Sequence, residues 1–69
     1  MNEKLSIKQM RVLRGYSQES VSNHVSISRE HLGKIENDPV VLKNAKIQTI
    51  LNLLNYYGFE INQLNFFDD

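Results

Sequence analysis

The sequence predicts an all-α fold, a compact bundle of five short helices forming a single domain over residues 1–69. Three observations carry this. Apolar residues recur three and four positions apart, as on one face of a helix, rather than alternating. Residues that cap helix starts (Asn2, Ser17, Ser28, Asn44) and glycines that stop them (Gly15, Gly58) punctuate the chain at short intervals. A chain of 69 residues also has room for one core only, and at this size a domain buries about 60% of the surface its unfolded chain exposes.

The elements follow in order. Asn2 is expected to cap a first helix running to about Arg14, with Ile7 and Met10 on its inner face and Gly15 as a left-handed stop. Tyr16 folds back onto the last turn. Ser17 caps a second helix, about Gln18 to His24, with Val21 and Val25 one turn apart. After the turn at Ser26-Ile27, Ser28 caps a third helix, about Arg29 to Glu36, with Leu32 and Ile35 facing inward. Asn37-Asp38-Pro39 ends it, because proline lacks the backbone donor and restricts the residue before it. Val40 to Lys43 reads as a connecting loop. Asn44 then caps the longest helix, about Ala45 to Tyr57, whose inward stripe is Ile47, Ile50, Leu51, Leu54 and Tyr57, broadened by Leu53. Beyond Gly58, Ile61, Leu64 and Phe67 suit a last helical turn or two. Phe59 and Ile61 around Glu60 alternate as in a strand; the helical reading is preferred.

Composition narrows the function classes. Hydrophobic residues make up 41% and charged residues 23%, as in a globular domain rather than a disordered tail. The absence of cysteine excludes disulfides, thiolate zinc sites and cysteine nucleophiles. No apolar run exceeds three residues, so no segment spans a membrane. Met1-Asn2-Glu3-Lys4 leads into no apolar stretch, so no signal peptide is expected and the expected location is cytoplasmic. Net charge is zero, but its arrangement is uneven. Residues 1–34 carry six basic against three acidic side chains, and residues 35–69 carry two against five. A positive front can approach phosphates in one orientation even when the total is neutral.

The informative segment is Gln18 to Asn37, a short helix, a tight turn and a second short helix. That is the geometry of a helix-turn-helix, in which the second helix enters the major groove. With Leu32 and Ile35 turned inward, the third helix presents Arg29, Glu30, Gly33 and Lys34 outward. Met10-Arg11, Gly15-Tyr16-Ser17-Gln18-Glu19, Val25-Ser26-Ile27-Ser28-Arg29, Leu32 and Ile35-Glu36-Asn37 together resemble the lambda repressor-like, Cro-type (XRE family) helix-turn-helix domain. Tyr56-Tyr57-Gly58-Phe59, Ile61 and Leu64 resemble the end of that family's fourth helix and the start of its fifth. The resemblance covers about residues 4–66.

The resemblance implies a role for each matching position. Gln18 is expected to hydrogen-bond a DNA phosphate. Ser28, Arg29, Glu30 and Lys34 are expected to read base edges, and Asn37 to meet phosphate just past the recognition helix. Arg11 and Glu36 match a structural salt bridge between the first and third helices. Chemistry agrees: arginine can donate two parallel bonds to guanine, and glutamate can accept from cytosine while repelling phosphate. Gly33 costs about 1 kcal/mol against alanine inside a helix; either it lets a surface approach closely or it is simply tolerated. The family usually has glycine where Ser26 stands, so Ser26 is expected in a left-handed conformation or in a different turn. The stretch Asp38 to Asn44 is longer than usual, so Lys43 and Lys46 either reach the flanking backbone or are simply solvated, and Lys43 is assigned to phosphate.

Other chemistry is not expected. His24 and His31 lack further ligands for a metal, and no serine has a base and orienting acid beside it. The expectation is a non-enzymatic protein without metal or cofactor, whose partner is double-stranded DNA. Lacking ligand and catalytic domains, it would act as a repressor by occupying a pseudo-palindromic operator. A homodimer is expected, with a dimerisation segment over about residues 45–67 and Tyr56, Phe59, Leu64, Phe66 and Phe67 at its interface. The alternative is an antitoxin-type module that binds a partner protein, a toxin, through Phe59 to Phe67 and autoregulates through DNA binding.

Overall fold

The computed structural model describes residues 4–66. Among them are five α-helices: α1 (Ile7–Arg14), α2 (Gln18–Val25), α3 (Arg29–Asn37), α4 (Pro39–Asn44) and α5 (Ile47–Tyr57), followed by a 3-10 turn at Ile61–Gln63. The all-α fold class agrees with the sequence reading, but the starts of α1 and α5, the stretch Val40 to Lys43 and the C-terminal turn differ from it.

Asn2 lies outside the described residues, and α1 starts later than expected, after Ser6. A capping box fixes that start: Ser6 Oγ accepts from the Gln9 amide at 3.0 Å, and Gln9 Oε1 accepts from the Ser6 amide at 2.8 Å. The stretch expected to be a loop is the helix α4. Asp38 Oδ1 accepts from the Val40 amide at 3.0 Å and Pro39 occupies the first turn, where its missing donor is harmless and its fixed φ suits a helix. Asn44 is therefore the last residue of α4 and does not cap α5, whose N-cap position is Lys46, without a side-chain cap.

The remaining caps lie where expected. Ser17 and Ser28 accept from the Ser20 and His31 amides at 3.0 and 2.9 Å. Gly15 and Gly58 end α1 and α5 with φ of 78° and 82°. Ser26 ends α2 in the left-handed region as well, at φ 61° and ψ 43°.

Ile7, Met10, Val21, Leu32, Ile35, Leu42, Ile50, Leu53, Leu54, Tyr57 and Leu64 form one buried cluster, to which every α-helix contributes. Within α5 the buried arc is Ile50, Leu53, Leu54 and Tyr57. Ile47 and Leu51, expected inside, are 61% and 42% exposed because the helix turns them away from that arc. The C-terminal segment takes one helical turn, Ile61–Gln63, which is 3-10 and not α-helical. After the 3-10 turn, Leu64 forms a single parallel bridge with Leu5, with Leu5 N donating to Gln63 O at 2.9 Å and Asn65 N to Leu5 O at 2.8 Å. Among the described residues no helix is long and apolar enough to cross a membrane.

Candidate nucleic-acid interface

The interface is built on α2, the turn at Ser26-Ile27, and α3. Val21 and Leu32 are fully buried and anchor the two helices in the core, leaving the opposite side of α3 to solvent. There Ser28, Arg29, Glu30, His31 and Lys34 are all exposed. Ser28 Oγ already accepts the cap bond from His31, so its remaining capacity toward a base is its own O–H and one lone pair. Glu30 and Lys34 sit one turn apart at 4.0 Å, both well exposed; so solvated a pair contributes little to stability and can open to other partners. Gly33 is half-buried and faces Gln18 on α2. A methyl placed on it would meet nothing nearer than Gln18 Nε2 at 3.8 Å.

Behind this surface lies a charged clamp. Glu36, with its side chain wholly buried, accepts from Arg11 Nε at 2.7 Å, from Arg11 Nη2 at 3.3 Å and from Gln18 Nε2 at 3.0 Å. Arg11 Nη1 donates to the Tyr16 carbonyl at 2.8 Å. One carboxylate thus joins α1, α2 and α3. The hydrogen bond to Glu36 holds the Arg11 guanidinium protonated even more firmly than an ordinary arginine. The clamp also orients Gln18: turning its amide over would set Oε1 against the carboxylate, acceptor against acceptor. With Nε2 held there, its second N–H stays available for a phosphate oxygen. Tyr57 packs close by, and burial pushes its phenol up from the ordinary value, helped by the Glu36 charge. Its hydroxyl has no hydrogen-bond partner among the described residues.

A family model described as a helix-turn-helix domain matches residues 6–65. The chain belongs to that family. Comparison with curated proteins and with solved structures returns no significant match. As a helix-turn-helix domain it is a DNA-binding module, and its other predicted residues can be placed on that scaffold. Asn37, at the end of α3, is exposed but bonds Gly33 O through Nδ2 at 2.8 Å, which leaves one amide N–H. Lys43 is exposed on α4, the helix that directly follows α3 and packs against it.

The residues expected at a dimer interface are largely committed within the helix-turn-helix domain itself. Leu64 is 2% exposed and belongs to the core, so it offers no surface to a second chain. The Tyr56 ring stacks between Tyr16 at 4.9 Å and His24 at 3.9 Å, tying α5 to α2. Phe59 lies under the Arg14 guanidinium at 4.6 Å, and Arg14 Nε donates to the Tyr57 carbonyl at 2.6 Å. Phe66 packs against the core, and Phe67 lies outside the described residues. Sequence reasoning missed both the Tyr56–His24 stack and the exposure of Ile47 and Leu51. The stack had no signal in the sequence, since ring pairing across thirty-two positions follows from the fold alone.

Proposed function

We propose that this helix-turn-helix domain is a sequence-specific transcriptional regulator, a repressor that binds a pseudo-palindromic operator as a homodimer. The observation that carries this reading is the unobstructed outer face of α3, where Arg29, Glu30 and Lys34 all reach solvent. Arg29 and Glu30, with the Ser28 hydroxyl, would read base edges. Gln18 and Asn37 would fix the register on phosphates, joined by Lys43 where the duplex extends past the motif. Lys34 would turn from Glu30 to a base or a phosphate. For the dimer, Ile47 and Leu51 on α5 offer exposed apolar surface, whereas Tyr56, Phe59 and Phe66 pack against the core. The same packing weakens the alternative of a toxin captured through Phe59 to Phe67.

Selection of bound duplexes from a random pool, at stated salt, tests the reading. An inverted repeat with half-site centres about 34–36 Å apart is the expected product. On that site Arg29→Ala should lower the preference for operator over random duplex, by about 1–3 kcal/mol for a lost bidentate pair. Gln18→Ala should weaken both complexes alike. Equal loss of discrimination in the two variants would overturn the assignment of roles.

A further inference from the structure

The outer face of α1 has no part in the DNA reading. Leu5, Lys8, Gln9, Val12 and Leu13 line a shallow groove of about 350 Å3. Val12 and Leu13 are 59% and 63% exposed. Their positions follow one side of the helix from its first turn to its last, the arrangement that receives an apolar helix stripe. Among the residues that line the groove Lys8 carries the charge, and it is positive. Residues 4–14 include four basic side chains and no acidic one. Arg11 and Arg14 are committed inward, to Glu36 and to the Tyr57 carbonyl. Lys4 and Lys8 are exposed and form no ion pair among the described residues.

That charge decides the occupant. Lys8 sits near the middle of the stripe, so a two-fold pairing of this face with a second copy would bring Lys8 against Lys8, with no acidic group on the helix to relieve the repulsion. A helix with acidic residues beside its apolar stripe meets both features at once. We propose that the outer face of α1 docks an amphipathic helix of a partner protein, its apolar residues in the groove and its acidic residues against Lys8. This surface shares no residue with the outer face of α3, so such a partner and a duplex would be held by different helices.

Two synthetic peptides of about fourteen residues, roughly four helical turns, provide the probe. Both carry the same leucine stripe; one is flanked by glutamate and the other by lysine. Titrated into the isotope-labelled chain, the glutamate peptide should shift the amide resonances of Lys8, Gln9, Val12 and Leu13. It should bind about tenfold or more tightly than the lysine peptide, with the margin shrinking at high salt. Lys8→Glu should reverse that preference. Leu13→Glu should abolish binding with the thermal midpoint unchanged, because the side chain is already mostly in water. Equal affinity for the two peptides, binding by neither, or shifts confined to other helices would overturn the proposal. So would the same α1 shifts arising on concentration of the chain alone, which would make a second copy the occupant.

Discussion

Replacing Arg11 with methionine tests the clamp behind the recognition helix. The Arg11 side chain is 12% exposed and that of Glu36 is fully buried, so neither charge can fall back on water. Removing the cation leaves the carboxylate with Gln18 as its one side-chain donor among the contacts of the clamp. Breaking a buried pair from one side costs about 3–5 kcal/mol. A chain of 69 residues has a total stability of about 3–10 kcal/mol at the usual value per residue. Arg11→Met should therefore remove between about a third and all of it and bring the domain towards the edge of folding. The double variant Arg11→Met/Glu36→Met removes both charges and fills the space with apolar atoms. It should recover most of the loss, since replacing a buried pair by well-packed apolar groups is often neutral. Urea unfolding followed by far-UV circular dichroism measures all four members of the cycle. A single variant within about 1 kcal/mol of the parent would refute the burial argument. A double variant costing the sum of its parts would refute the coupling.

Three further outcomes rest on single positions. Ser26→Gly should stabilise the domain by about 1 kcal/mol, read as a rise in thermal midpoint, because glycine enters the left-handed region without the penalty a side chain carries. Gly33→Ala should also stabilise by up to about 1 kcal/mol, as the added methyl meets only ordinary contact; a fall in duplex affinity despite that gain would show that DNA uses the close approach. Tyr57→Phe should match or exceed the parent in stability by up to about 1–3 kcal/mol, since it deletes a buried hydroxyl that lacks a partner. The raised Tyr57 pKa also sets a sign. The unfolded phenol loses its proton near pH 10 while the folded one retains it, so its contribution is intact below about pH 10 and is lost as pH rises further. Urea midpoints measured into the alkaline range should fall less steeply for Tyr57→Phe.

Local chemistry made much of the fold legible. Ser17 and Ser28 read as caps because a short hydroxyl before an apolar period satisfies the first amides of a helix, and the hydroxyls make those bonds. The reading failed where one residue type serves two opposite ends. Asp38-Pro39 reads as a stop for α3, and it is equally a start for α4; proline both ends the preceding helix and suits the first turn of the next. Asn44 misled by the same logic. Ile47 and Leu51 fit the three-and-four spacing of α5, but spacing fixes only which residues share a face. How wide an arc the core accepts depends on the neighbouring helices. Leu64 eluded the periodicity because its partner, Leu5, lies at the other end of the described chain. At the interface, Arg29, Glu30 and Lys34 were visible as the side of α3 opposite Leu32 and Ile35. That Gln18 shares the carboxylate of Glu36 with Arg11 was not, since it follows from how three helices meet.

The bridge between Leu5 and Leu64 has a consequence for how the molecule is made. Its two backbone bonds join segments nearly sixty positions apart, so the stitch must wait until translation has delivered almost all of the described chain. The helix hairpins can assemble earlier from neighbours along the chain. Closing the bridge then becomes the last act, and shaving residues from either flank of it should loosen the opposite one.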